Sequence, residues 1–198
     1  MNEGNIKYHI KNFYDGEKKL EKVVVETKNG FISQISKKGY KSSKAFDILV
    51  PTFIDLQVYG SNGRLLSEYP DLKTLEIMDI FHKKNGTYFF QPTIASHSYE
   101  VINKSIEAVK QYIEKYPDSG CLGLHVEGPW FNPNKKGAHI LDYIHSPSEK
   151  EIRGIIEKSK GVISMITLAP EVVKIKLMEQ LISEGIILSA GHSECDYK

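Results

Sequence analysis

Two side chains that hold divalent metals in proteins, a carboxylate and an imidazole, follow separate apolar runs in this sequence. Glu127 ends the run that begins at residue 121, and a Gly-Pro pair after it indicates the end of a buried strand. His192 follows a second run at residues 185–189. Together they suit a first-row divalent metal such as Zn²⁺, which activates a bound water. The alternative for Glu127 is a loop carboxylate beside a packing Trp130.

The elements that position these side chains begin at Val50, where short apolar runs start to alternate with segments of helical spacing. Such alternation predicts parallel βα units. Because the carboxyl ends of parallel strands meet at one edge, we expect Glu127 and His192 to converge there. The predicted strands cover residues 50–55, 87–93, 123–127, 162–168 and 185–189. The predicted helices run from Leu72 to a C-cap at Asn85–Gly86, from a cap at Ser98 through Tyr116, from Ser148 onward, and over residues 172–184.

Two α/β architectures fit this pattern, a doubly wound sheet and an eight-stranded barrel. No Gly-x-Gly-x-x-Gly follows the first strand, which argues against a nucleotide-binding sheet. A complete barrel needs roughly 250 residues. We therefore predict an incomplete (β/α)8 TIM-type barrel of about five strands over residues 50–198, in the N-terminal portion of a longer protein. Residues 1–49 are predicted to form a small β-rich segment, with a hairpin at Asn29-Gly30.

Composition excludes several classes of function. The formal net charge is +1 without a basic stripe, so nucleic acid is not an expected partner. No apolar run reaches the roughly 18 residues of a membrane span, and the N-terminus lacks an apolar signal core. A cytoplasmic location is the default expectation. Two cysteines are too few for a disulfide framework.

Several separated motifs occur in an order that resembles the N-acetylglucosamine-6-phosphate deacetylases of the amidohydrolase superfamily. The resemblance runs from about Val50 to the last residue, as an N-terminal portion. It implies a small β-sandwich ahead of the barrel. It also implies hydrolysis of the acetamide of N-acetylglucosamine 6-phosphate, giving glucosamine 6-phosphate and acetate. The motifs are His-Val-Glu-Gly-Pro-Trp at 125–130, Lys-Lys-Gly-Ala-His at 135–139, Leu-Ala-Pro-Glu at 168–171, Ser-Ala-Gly-His-Ser at 189–193, Asp-Leu-Gln-Val at 55–58 and Gln-Pro-Thr at 91–93.

The resemblance also implies roles for residues of the site. Glu127 and His192 match metal ligands, and Ala138 and His139 match a pair that contacts the substrate. The family's further His ligand and its general-base Asp would lie beyond Lys198, so this chain by itself is expected to be inactive. The implied cofactor is one divalent metal ion, Zn²⁺ or Fe²⁺, and the implied partner is a small-molecule amino-sugar phosphate.

Gln57 and His125 remain open between two roles. Gln57-Val58-Tyr59 stands where many superfamily members have His-x-His for a second metal, so the resemblance is to the one-metal type. Gln57 either hydrogen-bonds a metal ligand or is a polar strand-end residue hydrogen-bonded to backbone. His125 shares a strand face with Glu127 and is either a hydrogen-bond partner of a metal ligand or a core histidine whose nitrogens are already satisfied.

Two further interpretations of the whole chain stay open. One is an amidohydrolase that acts on a different amide. The other is a non-catalytic fragment, which the missing base and third ligand would favour. A homo-oligomer is also left open.

Overall fold

The computed structural model describes residues 5–196. The chain divides into two compact units, Met1–Thr52 and Phe53–Lys198.

The first unit is a small mixed β-sheet with strand order β3-β2-β1-β4. β1 pairs antiparallel with β2 and parallel with β4, and β2 pairs antiparallel with β3. Asn29 and Gly30 form the two-residue turn between β2 and β3, and both have positive φ, at 52° and 80°. The predicted hairpin is therefore confirmed. The strands are β1 (Ile6–Tyr14), β2 (Lys19–Lys28), β3 (Phe31–Ser36) and β4 (Ala45–Leu49).

The second unit alternates strands and helices, as the periodicity predicts. Short 3-10 turns occupy Pro133–Lys135, Leu141–Tyr143 and Pro170–Val172. Its strands and helices are β5 (Phe53–Val58), β6 (Gly60–Ser61), β7 (Arg64–Leu65), α1 (Leu72–Lys84), β8 (Thr87–Ala95), α2 (Tyr99–Lys115), β9 (Leu124–Glu127), α3 (Glu149–Ser159), β10 (Ile163–Leu168), α4 (Ile175–Ser183) and β11 (Ile187–Ala190).

The five long strands of this unit form one parallel sheet in sequential order, β5-β8-β9-β10-β11. A doubly wound sheet would reverse its strand order at a switch point. Here each strand adds to the same side of its predecessor, as in a barrel. The prediction of an incomplete TIM-type barrel of about five strands with a small β unit is confirmed.

Helix ends follow the capping signals of the sequence. The Asp71 carboxylate accepts from the Thr74 amide at the start of α1. Ser98 caps α2, and Ser148 forms a capping box with Glu151 at the start of α3. These caps fix where each helix leaves the edge of the sheet that carries the candidate site.

The core lies between the sheet and its helices. α2 buries Ile102, Ile106 and Val109, which recur at helical spacing. Burying each such side chain stabilises the fold by about 1.5–3 kcal/mol. The sheet side supplies Phe90 and Ile94 of β8 to the same core.

Two element boundaries differ from the predictions. β5 begins at Phe53 rather than Val50, after Pro51, which has no amide hydrogen to donate to a sheet. The last helix begins at Ile175 rather than Val172, because Val173 has an extended backbone. In that conformation the Val173 side chain is buried in the core.

The sheet has two edges in the part of the chain that the structure describes, at β5 and β11. Large apolar side chains are exposed on β5, including Phe53 at 67% and Ile54 at 59%. Among residues 5–196, no helix is long and apolar enough to cross a membrane.

Candidate metal and substrate site

Glu127 is the last residue of β9, and its carboxylate is buried, with 6% of the residue exposed. β9 lies between β8 and β10 in the sheet. The chain then turns at Gly128, whose φ is +83° and whose amide donates to the Thr167 carbonyl at 2.9 Å. An added Cβ on Gly128 would stand 2.2 Å from Ser96 Oγ, so this turn requires glycine.

His192 follows β11 and comes close to Glu127, as expected for two residues at the carboxyl ends of parallel strands. Its Nε2 is 3.3 Å from Glu127 Oε1, and its Nδ1 lies 2.9 Å from the Lys135 carbonyl. A carbonyl only accepts, so Nδ1 carries a hydrogen, and in the neutral ring Nε2 is then the nitrogen with a lone pair. Phe131 stacks on the ring at 4.2 Å between centroids. This is the orientation and tautomer of a histidine metal ligand.

His139 approaches the other oxygen of the same carboxylate, and its ring lies next to that of His192, with centroids 4.7 Å apart. Its Nε2 is 3.7 Å from Glu127 Oε2, and ligand atoms of Glu127, His139 and His192 all lie within 4.8 Å of one another. Its Nδ1, however, accepts from the Ser96 amide at 3.3 Å. A neutral ring that accepts at Nδ1 carries its hydrogen on Nε2. His139 is therefore arranged as a donor, whereas His192 is arranged as a ligand.

Tyr59 contributes to the site in a way that the sequence did not reveal. Its hydroxyl donates to Glu127 Oε2, and it receives a hydrogen bond from Gln57 Nε2 at 2.5 Å. Burial and the nearby Glu127 carboxylate raise the pKa of Tyr59 to about 12, so the hydroxyl keeps its proton. Gln57 thus reaches Glu127 through the Tyr59 hydroxyl.

The carboxylate of Glu127 is held in its charged form. Burial favours the neutral acid and acts to raise the pKa, but hydrogen bonds from His139 and Tyr59 outweigh burial and lower it to about 2. A divalent metal binds carboxylate oxygens such as those of charged Glu127, and it binds an imidazole nitrogen such as Nε2 of a neutral His192 ring. The chemistry of this donor set therefore fits the metal that the sequence predicted.

His125 lies inside the sheet, 3% exposed. Its Nε2 is 2.7 Å from Thr167 Oγ1, and its Nδ1 is 3.3 Å from the Leu56 carbonyl. Burial lowers its pKa, which favours the neutral ring. Both ring nitrogens of His125 thus lie within hydrogen-bond distance of a polar partner.

A cavity of about 490 Å³ opens beside the cluster. Ala138 and His139, the predicted substrate-contacting pair, both line it. His97 and Glu68 also line it, and no short motif marked them. The position of His97 just after β8 is the signal that could have found it. The lining residues are Tyr59, Ser67, Glu68, Ala95, Ser96, His97, Ala138, His139 and Ile140.

No protein-family model matches the chain. The chain is 33% identical over 150 residues to an N-acetylglucosamine-6-phosphate deacetylase of Haemophilus influenzae, a match that covers 76% of this chain and 39% of the relative. It is 36% identical over 149 residues to an N-acetylgalactosamine-6-phosphate deacetylase of a Shewanella species, covering 75% and 37%. The chain is homologous to the N-terminal part of these deacetylases.

The solved structures agree with this family relationship. The N-acetylglucosamine-6-phosphate deacetylase of Pasteurella multocida superposes with a TM-score of 0.82 and 29% identity, covering 96% of this chain and 52% of that one. The chain thus spans about 40% to half of the length of the deacetylases it matches. The relatives are enzymes by name. The general-base Asp and further His predicted beyond Lys198 lie outside the described residues.

Proposed function

We propose that this chain supplies the metal-binding part of the active site of an amino-sugar-phosphate deacetylase. The reaction is hydrolysis of the acetamide of N-acetylglucosamine 6-phosphate to glucosamine 6-phosphate and acetate. The observation that carries the proposal is the meeting of Glu127 and His192, 3.3 Å apart, at the carboxyl edge of a parallel sheet. Homology to deacetylases of two N-acetylhexosamine 6-phosphates supports the substrate class.

Glu127 and His192 would hold one divalent ion, Zn²⁺ or Fe²⁺. When bound, the ion would lower the pKa of a water toward about 7 and polarise the acetamide carbonyl. The ring of His192 is oriented for this task by its bond to the Lys135 carbonyl. A single ion is proposed because Gln57 and Tyr59 stand near Glu127 without an imidazole for a second one.

His139 would bind substrate rather than metal. Its Nε2 hydrogen is directed at Glu127 and the ring lines the cavity, where it can donate to an acetamide or hydroxyl oxygen. Ala138 beside it has a small side chain that leaves room for a sugar. Together they form one wall of the proposed substrate pocket.

Proton transfer needs a further group, because among residues 5–196 this cluster has one carboxylate and its His139 is assigned to the substrate. That carboxylate is Glu127, which the ion would occupy. General-base catalysis typically contributes about 10²–10⁴-fold. We therefore propose that the base is an Asp outside this chain and that the chain by itself does not turn over.

The experiment uses the purified chain and a chimera in which it replaces the matched part of the Haemophilus influenzae relative. The chain should bind one Zn²⁺ or Fe²⁺ per molecule without releasing acetate. The chimera should release acetate from N-acetylglucosamine 6-phosphate, and the galactosamine epimer is the comparison substrate. A chimera that folds and binds metal but hydrolyses neither substrate would overturn the proposed activity. Acetate release by the chain alone would overturn the assignment of an external base.

A further inference from the structure

Glu171 follows β10 on the surface of the second unit, yet its carboxylate is fully engaged by two loops. Oε1 accepts from Asn132 Nδ2 at 3.0 Å and from the Glu194 amide at 2.7 Å. Oε2 accepts from the Ser193 hydroxyl at 2.6 Å. An exposed carboxylate that accepts three bonds from distant segments has a defined position rather than a mobile one.

The two loops that Glu171 joins are the ones that hold the proposed metal ligand His192. Ser193 and Glu194 directly follow this histidine. Asn132 belongs to the loop after Glu127, and its amide donates to the His192 carbonyl at 3.1 Å. The Asn132 carbonyl accepts from the Lys135 amide at 2.9 Å, which places the Lys135 carbonyl against His192 Nδ1.

The backbone of His192 needs such support. Its φ is +51°, in the left-handed region that residues with a Cβ rarely adopt. A residue keeps this conformation only where its surroundings hold it. Glu171 accepts hydrogen bonds from Ser193 and Glu194, which follow His192, and from Asn132. These bonds constrain the His192 backbone, although Glu171 is not itself a proposed metal ligand.

We propose that Glu171 is a positioning residue that fixes the tautomer and direction of the His192 ring. It connects the 193–194 segment to Asn132, so that His192 Nδ1 stays on the Lys135 carbonyl and Nε2 stays directed at Glu127. The role of His192 as a ligand rests on the proposed function, whereas the orientation of its ring does not. The lowered pKa of Glu171, about 2, agrees with this geometry: partial desolvation acts to raise it, but bonds from Ser193, the Glu194 amide and Asn132 outweigh that effect.

The test compares Glu171→Ala, Glu171→Gln and the control Glu179→Ala, an exposed glutamate of α4. Calorimetry measures the Zn²⁺ affinity. Nitrogen-15 spectra of the metal-free protein report the tautomer of the His192 imidazole, whose signals are assigned by their loss in His192→Gln. Glu171→Ala should weaken Zn²⁺ binding by about 10–100-fold and mix the two tautomers. Glu171→Gln, which keeps an acceptor oxygen and gains a donor for Ser193 Oγ, should restore most of both. Glu179→Ala should match wild type.

The outcomes separate this inference from the proposed function. Unchanged Zn²⁺ affinity and an unchanged His192 tautomer in Glu171→Ala would overturn the positioning role and leave the metal site standing. A wild-type chain that binds no metal would count against the proposed function, and the tautomer spectra would still decide the role of Glu171. If Glu171→Ala does not fold, Ser193→Ala removes the Oε2 bond together with the bond from the Cys195 amide to Ser193 Oγ, and no tautomer change there would overturn the inference.

Discussion

Glu127 remains charged in a buried position because hydrogen-bond donors surround its oxygens. Tyr59 donates to Oε2, and the adjacent imidazoles of His139 and His192 lie near Oε2 and Oε1. Such a carboxylate needs a cation or donors to offset the loss of water. At the scale of single residues, the function therefore depends on which nitrogen of each ring carries a hydrogen.

Glu127→Gln should abolish most metal binding, because the amide keeps the shape and loses the charge. A unit charge at about 4 Å is worth about 4 kcal/mol at an effective dielectric constant of 20, so Zn²⁺ affinity should fall by about 100-fold or more. Calorimetry on the purified variant measures this, with Glu179→Gln on α4 as the matched control. Equal affinity in Glu127→Gln and wild type would remove Glu127 from the ligand set.

His139→Ala should leave Zn²⁺ affinity close to wild type and weaken substrate use. Loss of one neutral hydrogen bond, about 0.5–1.5 kcal/mol, corresponds to about 2–10-fold in kcat/KM of the chimera. His192→Ala is the matched comparison and should lose metal. If both alanine variants lose metal equally, His139 is a third ligand and the tautomer assignment is wrong.

The residues of the site lie at strand ends and in the turns that follow them, and the turn at Gly128 after β9 is strongly constrained. Gly128→Ala should destabilise the chain by about 1–3 kcal/mol, because the backbone is left-handed and the new Cβ meets Ser96 and Phe131. It should also weaken Zn²⁺ binding by displacing Glu127. Urea unfolding and calorimetry measure the two effects. Gly154→Ala in α3 is the control, since nothing lies within 4 Å of its added Cβ, and it should stabilise by about 0.5–1 kcal/mol.

A pH-dependent contact connects the 141–148 segment to α3. His145 Nε2 lies 2.5 Å from Glu151, which also accepts from Tyr99 and from the Ser148 amide. Burial acts to lower the pKa of His145, but Glu151 and the Tyr143 carbonyl raise it above its usual 6.5. Burial acts to raise the pKa of Glu151, but bonds from Tyr99 and His145 lower it from 4.5 to about 2.

The stability due to this pair should be greatest between pH 4.5 and 6.5. The contribution of His145 is present below pH 6.5 and disappears as pH rises through its raised pKa, whereas that of Glu151 disappears as pH falls toward 2. His145→Gln should lower Tm at pH 5.5 and have a smaller effect at pH 8.5. The difference should stay below about 1 kcal/mol because the pair is partly exposed. A larger loss at pH 8.5 than at pH 5.5 would contradict the assignment.

At the scale of the whole molecule, the open edges of the five-stranded sheet control behaviour in solution. Ile54 and Leu56 expose large apolar side chains on β5, an edge strand of the sheet, and such an edge can pair with another chain. The purified chain should therefore self-associate or be partly unfolded, and its mass by light scattering should rise with concentration. Ile54→Lys should lower the mass, whereas Ile80→Lys, at an equally exposed position on α1, should not. A monomer with a cooperative thermal transition would contradict this prediction.

The sequence by itself determined the elements and their order. Apolar spacing, the caps at Ser98 and Ser148 and the Asn29-Gly30 turn are local signals, because they act between residues close in the chain. Strand alternation then required a parallel sheet, and the positions of Glu127 and His192 at strand ends predicted that they would meet.

Only the tertiary structure decided how that site is supported. Tyr59 donates to Glu127, Glu171 engages Ser193, and Ser96 selects the tautomer of His139. Each contact joins residues far apart in the chain, and a motif such as the one at 168–171 marks a residue without showing its partner. The late start of α4 has the same origin, since Val173 is extended where burial in the core outweighs its place in a helical pattern. The sequence thus determined which groups could do the chemistry, whereas packing decided which nitrogen holds a hydrogen and which holds a lone pair.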